Sequence, residues 1–208
     1  MRILGEICSH TRGFSMKRSL RILAVSLGLV SFVVAAIAQS PATPAPQQAA
    51  TPAMPAARPA DVSSADAIIG ALYDVISGPA GQKRDWDRFR SLFIAGARLI
   101  PAGAPRGGGT GPRVLTPDDY ATASGPNLEK NGFFEKEVAR RSERFGAVLH
   151  AFSTYESRHT AQDPAPFARG INSIQLYWDG TRWWVVTVYW QAERPDMPLP
   201  QEFLPAAK

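Results

Sequence analysis

Residues 170–190 read GINSIQLYWDGTRWWVVTVYW, and this stretch decides the fold. Two apolar runs, rich in β-branched and aromatic residues, flank the dipeptide Asp179-Gly180. That dipeptide is typical of a two-residue turn between antiparallel strands. The stretch therefore predicts a β-hairpin with strands over Arg169–Trp178 and Arg182–Ala192.

A two-residue turn also predicts the pairing and the faces of this hairpin. Leu176 then faces Trp183, and Ile174 faces Val185. One face is expected to hold Ile174, Leu176, Trp178, Trp183, Val185 and Tyr189, and the other Tyr177, Trp184, Val186, Val188 and Trp190. Because one face of an antiparallel sheet is normally solvated, two apolar faces indicate that both are covered. We expect helices on one face and a second subunit, forming a homodimer, on the other.

Upstream of the hairpin, two further runs predict strands at Phe133–Ser142 and Ala147–His159, and a short strand is expected at Ala97–Pro101. Three helices are expected before the long strands. The first is capped by Ser63 or Ser64 and ends before Gly78-Pro79, and the second covers Trp86–Phe93. The third begins with Thr116-Pro117-Asp118-Asp119, where Thr116 caps and Asp119 favours the positive helix N-terminus, and it ends near Asn131-Gly132.

The order helix, helix, short strand, helix, long antiparallel sheet resembles the nuclear transport factor 2-like superfamily. Four segments carry the resemblance between Ser63 and Arg194: Asp85–Phe93, Val114–Thr116, Val148–Ser157, and Gly170–Leu176 together with Asp179–Trp184. It implies an α+β fold of the cystatin-like or cone type, in which a curved antiparallel sheet of four to five strands is wrapped by three N-terminal helices.

The resemblance implies several functions, because the superfamily includes dehydratases, isomerases, polyketide cyclases, transport adaptors and ligand-binding domains. Its enzymes place an Asp–His or similar pair at the floor of the cone, and no such pair maps onto this chain residue by residue. We therefore expect a domain that binds a small apolar molecule, with no catalysis assigned. One alternative is an enzyme of the dehydratase, isomerase or cyclase type, with His150 as base and Tyr120 or Tyr155 orienting a carbonyl. Another is a protein-interaction module that uses the outer sheet face.

Aromatic and amide side chains are the expected ligand contacts, because an apolar pocket with a few polar groups suits a small hydrophobic ligand. The expected ligand-binding residues are Tyr73, Trp86, Tyr120, His150, Asn172, Gln175 and Trp190. The carboxylates of the first long strands alternate with Lys and Arg, which favours a solvated ladder of cross-strand ion pairs. This ladder comprises Glu135, Glu137, Glu143 and Glu156.

The N-terminal segment has the pattern of an export signal. Lys17, Arg18 and Arg21 precede an uncharged apolar run that ends in Ala36-Ile37-Ala38, which is typical of a signal peptide. We expect residues 1–38 to be this signal, with Met16 as a suitable true start and cleavage near Ala38-Gln39. The expected location is the bacterial periplasm or the outside of the cell, with the membrane as a partner only if the signal stays uncleaved.

Composition then limits the mature protein. Residues 1–38 carry five of the 23 Lys and Arg and one of the 18 Asp and Glu, so the formal charge falls from +5 to about +1 without them. Nucleic-acid binding needs a concentrated positive face and is not expected. The one cysteine, Cys8, leaves with the signal, so neither disulfides nor thiolate ligands are expected. No metal is expected either, because the two mature histidines lie too far apart along one strand to share an ion. No cofactor is expected.

The rest of the chain divides into a tether, one domain and a tail. Residues 39–62 are rich in Pro and Ala, so they are expected to form a disordered linker. The domain is expected over residues 63–200 and a flexible tail over 201–208.

Overall fold

The computed structural model describes residues 54–103 and 111–205. The predicted signal and most of the predicted linker lie outside these residues. No helix in the described ranges is long and apolar enough to cross a membrane.

Four α-helices precede or interrupt the sheet: α1 (Pro59–Val62), α2 (Ala65–Ile76), α3 (Trp86–Ser91) and α4 (Pro117–Asn131). The predicted caps of the two longer helices are present. The Ser64 side chain accepts a hydrogen bond from the Ala67 N–H. Thr116 and Asp119 form a reciprocal capping box at the start of α4.

Five strands form one sheet: β1 (Phe93–Pro101), β2 (Phe134–Phe145), β3 (Val148–Arg158), β4 (Ala168–Trp178) and β5 (Trp183–Ala192). Their spatial order is β1-β5-β4-β3-β2, with β1 parallel to β5 and the other pairs antiparallel. The predicted α+β architecture is thus confirmed, with a mixed sheet of five strands. The second helix ends earlier than predicted, because Phe93 already belongs to β1.

The turn of the β4–β5 hairpin differs from the prediction. Trp178 pairs with Trp183, so four residues rather than two connect the strands. The Asp179 carboxylate causes this, since it accepts hydrogen bonds from the N–H groups of Thr181 and Arg182 and from the Trp184 indole. Leu176 consequently pairs with Val185. Ile174 pairs with Val188 because β5 also contains one extra residue between these pairs.

A β-bulge in β5 corrects the predicted faces as well. The pairing shifts between Gln175 and Leu176 of β4, so that β5 has one extra residue at Val186. A bulge reverses the alternation of side chains beyond it. Val188 is therefore buried on the same face as Val185, whereas Tyr189 is 46% exposed on the outer face.

Both ends of the predicted domain also need correction. The predicted linker reached residue 62, yet residues 59–62 form α1 and Val62 belongs to the core. Arg88 holds α1 in place through a two-pronged ion pair with Asp61, at 2.7 and 2.9 Å. Such a pair joins residues 27 positions apart, so local composition does not reveal it.

The predicted tail begins with an ordered segment. Residues Gln201–Phe203 form a 3-10 helix against the outer face of the sheet. The Phe203 ring lies 5.0 Å from that of Phe152, and its carbonyl accepts a hydrogen bond from Thr154 Oγ1. The chain therefore covers part of the outer face itself, and the homodimer through this face stays a prediction.

The core lies between the helices and the inner face of the sheet. Helix α2 contributes apolar side chains at helical spacing. Helix α3 and strand β1 contribute the rings of Phe89 and Phe93, which lie 4.8 Å apart. The sheet contributes Leu149, Ala151, Ile174, Leu176, Val185 and Val188.

Arg84 ties together the C-terminal ends of two helices. Only 6% of this residue is exposed, and its guanidinium donates to the carbonyls of Ile76, Gly78, Gln82 and Leu128. Ile76 ends α2, and Leu128 lies in the last turn of α4. A positive charge is favourable at helix C-termini, where carbonyls lack intrahelical partners.

Arg84→Met is expected to destabilise the protein by about 3 kcal/mol or more, because buried carbonyls lose their donors. The free energy of unfolding in urea measures this. Arg98→Met is the control, since Arg98 is exposed and bonds only nearby carbonyls, and its loss should stay under about 1 kcal/mol. Equal losses in the two variants would contradict the role given to Arg84.

Candidate functional site

The inner face of the sheet has an apolar end and a polar end. The apolar end is the core just described. At the polar end, three cross-strand rows bring polar side chains together: Glu135 with Ser157, Glu137 with Tyr155 and Gly170, and Arg140 with Ser153 and Asn172. Ser153, Ser157 and Asn172 are all buried. Polar groups in such a position need partners inside the protein or on a ligand.

A cavity of about 580 Å³ opens above this polar end. Helix α2 forms one wall with Leu72, Tyr73 and Ile76, and α4 forms another with Tyr120, Ala123, Ser124, Asn127 and Leu128. The sheet supplies Glu135, Tyr155, Ser157, Ala168, Asn172, Val188 and Trp190. This size and mixture of apolar walls with a few convergent polar groups are typical of small-molecule sites.

Glu135 is the carboxylate inside this cavity. Its backbone N–H donates to Ser77 Oγ at 3.0 Å, which joins the start of β2 to the end of α2. Its side chain accepts a hydrogen bond of 2.8 Å from Ser157. Desolvation raises the pKa of Glu135 to about 7, although hydrogen bonds from Ser157 and Asn172 oppose the rise. Near neutral pH this carboxyl therefore exists in both protonation states, as an acid or base requires.

Two tyrosine hydroxyls share the cavity with Glu135. Burial, with the nearby Glu135 charge, raises the pKa of both Tyr120 and Tyr155, so both phenols stay protonated. Within the described ranges neither hydroxyl has a hydrogen-bond partner, and no side-chain polar atom there is both buried and unpaired. The two O–H groups are therefore open to the cavity as donors.

The position of Tyr155 depends on Gly170 of the neighbouring strand. A Cβ atom at residue 170 would lie 2.5 Å from the Tyr155 hydroxyl oxygen and 2.4 Å from the Gln191 carbonyl oxygen. Both distances are shorter than any normal contact. Only glycine lets the tyrosine side chain lie across β4 at this point.

Five of the residues predicted for the site lie in the cavity wall: Tyr73, Tyr120, Tyr155, Asn172 and Trp190. The Tyr120 ring stacks on Phe89 at 5.5 Å and meets Trp190 edge to face at 6.2 Å. This packing fixes one side of the cavity.

Three predicted site residues lie elsewhere. His150 and Gln175 pair across β3 and β4 on the outer face, because the inward positions of these strands belong to Leu149 and Leu176. His150 bonds there to Ser173 at 3.0 Å, so it is not available as a base in the cavity. Trp86 packs outside the cavity wall, where its indole donates to Glu129 at 3.3 Å.

Sequence reasoning missed Glu135, because it placed this residue in a solvated ladder of ion pairs. Glu137 and Glu156 do form ion pairs, with Arg140 and Arg158, but each pair joins residues of one strand rather than of neighbouring strands. Glu135 instead faces inward under α2. The available signal was its position one residue after an aromatic pair, at a strand start where the inner face meets the helices.

The described ranges contain no group of three or more His, Cys, Asp or Glu side chains arranged to hold a metal ion. The polar groups of the cavity are one carboxyl, the Arg113 guanidinium, two amides and several hydroxyls, which suit hydrogen bonding to an organic ligand.

The helix order and the five-stranded mixed sheet are those of the cystatin-like cone fold that the resemblance implied. No family model and no curated protein matches the chain.

Solved structures similar to this chain include the following three. A protein of unknown function with a cystatin-like fold from Nostoc punctiforme is 10% identical, with a TM-score of 0.47, over 64% of this chain and 90% of that one. An NTF-2 like protein of unknown function from Silicibacter pomeroyi is 11% identical, with a TM-score of 0.44, over 63% and 94%. LinA is 14% identical, with a TM-score of 0.45, over 69% and 93%. At such identities a shared fold carries no information about substrate or reaction.

Glu135→Gln is expected to change how stability depends on pH. A carboxyl whose pKa is raised on folding contributes stability below its unfolded pKa of 4.5, and this contribution is lost as pH rises to the folded value of about 7. The stability of Glu135→Gln relative to the wild type should therefore increase by about 3 kcal/mol between pH 4.5 and 8. Urea unfolding at both pH values measures it.

Glu143→Gln serves as the control, because Glu143 is exposed on the same strand. Its effect should vary by less than about 0.5 kcal/mol over this range. If the stability effect of Glu135→Gln varied equally little with pH, Glu135 would be solvated in the folded protein.

Proposed function

We propose that the cone binds a small, mainly apolar organic molecule that carries one polar oxygen. The observation that carries this proposal is a cavity of about 580 Å³ whose polar end presents Glu135 beside two open tyrosine hydroxyls. The aromatic and aliphatic walls would bury the body of the ligand, and the polar end would hold its oxygen.

Filling the cavity is expected to weaken this binding. Ala168 lies in the cavity wall on β4, so Ala168→Phe should occupy the space beside Ser157. Acetophenone is a suitable probe, with binding followed by protein-detected NMR shifts of the Trp190 indole. We expect saturable shifts in the wild type and at least about a tenfold weaker affinity in Ala168→Phe, which corresponds to about 1.4 kcal/mol.

Ile171→Phe is the matched control, because Ile171 lies on the same strand but on the outer face. It should bind the probe within about twofold of the wild type. If neither acetophenone nor its larger analogue 2-acetylnaphthalene shifts any cavity resonance, the cavity does not bind such molecules and the proposal fails.

A second candidate function is acid–base catalysis on a carbonyl compound, and the raised pKa of Glu135 favours it. Glu135 takes the place that the sequence had suggested for His150. Its carboxylate would remove a proton from the carbon next to the carbonyl. The Tyr155 or Tyr120 hydroxyl would stabilise the resulting enolate oxygen by a hydrogen bond. The same carboxyl would then return a proton to carbon.

Exchange of the methyl protons of acetophenone in D₂O tests this chemistry. The wild type should exchange them at least about a hundredfold faster than Glu135→Gln, as the loss of a general base implies. His150→Ala should retain the wild-type rate, because His150 faces outward. A wild-type rate equal to that of buffer, with binding intact, would leave the binding function and exclude this reaction.

A further inference from the structure

A chain of hydrogen bonds leads from the cavity to an ion pair at its side. The Asn172 amide nitrogen donates to the Tyr73 hydroxyl oxygen at 3.0 Å. Tyr73 Oη and Ser153 Oγ are 2.7 Å apart. Ser153 Oγ donates to Glu137, which forms an ion pair of 3.1 Å with Arg140. Tyr73, Ser153 and Asn172 are all buried, with at most 6% exposed.

The ion pair between Glu137 and Arg140 determines the direction of every hydrogen bond in this hydrogen-bond chain. A carboxylate paired with Arg140 only accepts hydrogen bonds, so the single Ser153 proton points to Glu137. Ser153 Oγ must then accept from Tyr73, which uses the only proton of the phenol. Tyr73 Oη in turn only accepts from Asn172. The amide is therefore fixed with its nitrogen, rather than its oxygen, toward Tyr73.

The orientation of this amide matters for the cavity, because Asn172 lines its wall. An amide nitrogen carries two protons, and Tyr73 takes one of them. The second points away from Tyr73, and Asn172 lies in the cavity wall. With the hydroxyls of Tyr120 and Tyr155, the polar end then presents mainly donors.

We propose that Tyr73, Ser153 and Glu137 are positioning residues that lock the Asn172 amide as a donor, so that the cavity selects ligands by an acceptor oxygen, such as a ketone carbonyl. This inference rests on the proposed binding function and adds the ligand class to it. Tyr73 and Ser153 need not touch the ligand through their polar atoms, since these are already engaged with each other.

Glu137→Gln is the sharpest test, because it keeps the shape of the side chain but supplies a donor. The new amide can donate to Ser153, which lets Ser153 donate to Tyr73 and Tyr73 donate to the Asn172 oxygen. Every bond in the chain then reverses, and the Asn172 amide turns over. Glu143→Gln is the matched control on the same strand.

The first readout needs no ligand. In the wild type, nuclear Overhauser effects should connect one Asn172 side-chain N–H proton with the Tyr73 ring protons. This contact should disappear in Glu137→Gln and persist in Glu143→Gln. Its persistence in a folded Glu137→Gln protein would overturn the proposal.

The second readout compares acetophenone with α-methylstyrene, which has nearly the same shape but no oxygen. At pH 5.5, where Glu135 is mostly protonated in the wild type, Glu137→Gln should bind acetophenone about tenfold more weakly than the wild type. α-Methylstyrene should bind both proteins within about twofold. Tyr73→Phe removes the oxygen that accepts the hydrogen bond from the Asn172 amide. It should also weaken the binding of acetophenone but not that of α-methylstyrene.

The two proposals fail in different ways. Equal weakening of both probes, or of neither, would overturn selection by an acceptor oxygen while leaving binding itself intact. Absence of binding by either probe in the wild type would contradict the proposed function, whereas the ligand-free measurement would still decide the direction of the hydrogen bonds.

Discussion

The buried guanidinium of Arg84 is the interaction on which the cone depends. It has no ion-pair partner in the described part of the chain and instead binds four main-chain carbonyls. Two of them, in Ile76 and Leu128, lie in the last turns of α2 and α4. Just beyond α2, Gly78 pairs with Phe133, and Ser77 bonds to Glu135. One side chain thus fixes two walls of the cavity and the start of the strand that carries its carboxyl group.

The inner face of the sheet has two chemically different ends. Alternation along β3 and β4 sends Leu149, Ala151, Ile174 and Leu176 inward at one end, where the helices pack against them. At the other end, the same alternation sends Ser153, Ser157 and Asn172 inward. These groups are buried where the helices leave a cavity. The fully paired network around Tyr73 makes the inward polar groups tolerable, since a buried polar atom without a partner is costly.

Local physical chemistry made much of the fold predictable. The capping box at Thr116 and the Ser64 cap act within three or four residues, so the starts of α2 and α4 can be read directly. Period-two alternation and the turn residues likewise indicated the four long strands. The hairpin register was not predictable in the same way. The Asp179 side chain competes for turn N–H groups, and a bulge at Val186 moves Val188 and Trp190 to the inner face.

The sequence by itself determined the order of the elements from α2 to β5, the α+β class and five of the residues around the cavity, because these follow from short-range patterns. Only the tertiary structure decided which polar residues face inward. Glu135 and Glu137 alternate with Lys and Arg along the sequence, as the charges of a solvated ladder do. His150 is a candidate base in the sequence, and only the orientation of β3 shows that it faces outward. Whether a carboxyl is hydrated or desolvated depends on α2, nearly 60 residues earlier in the chain. Burial is a property of the assembled helices and sheet, so the pKa of Glu135 and the direction of the Asn172 amide emerge only when they pack together.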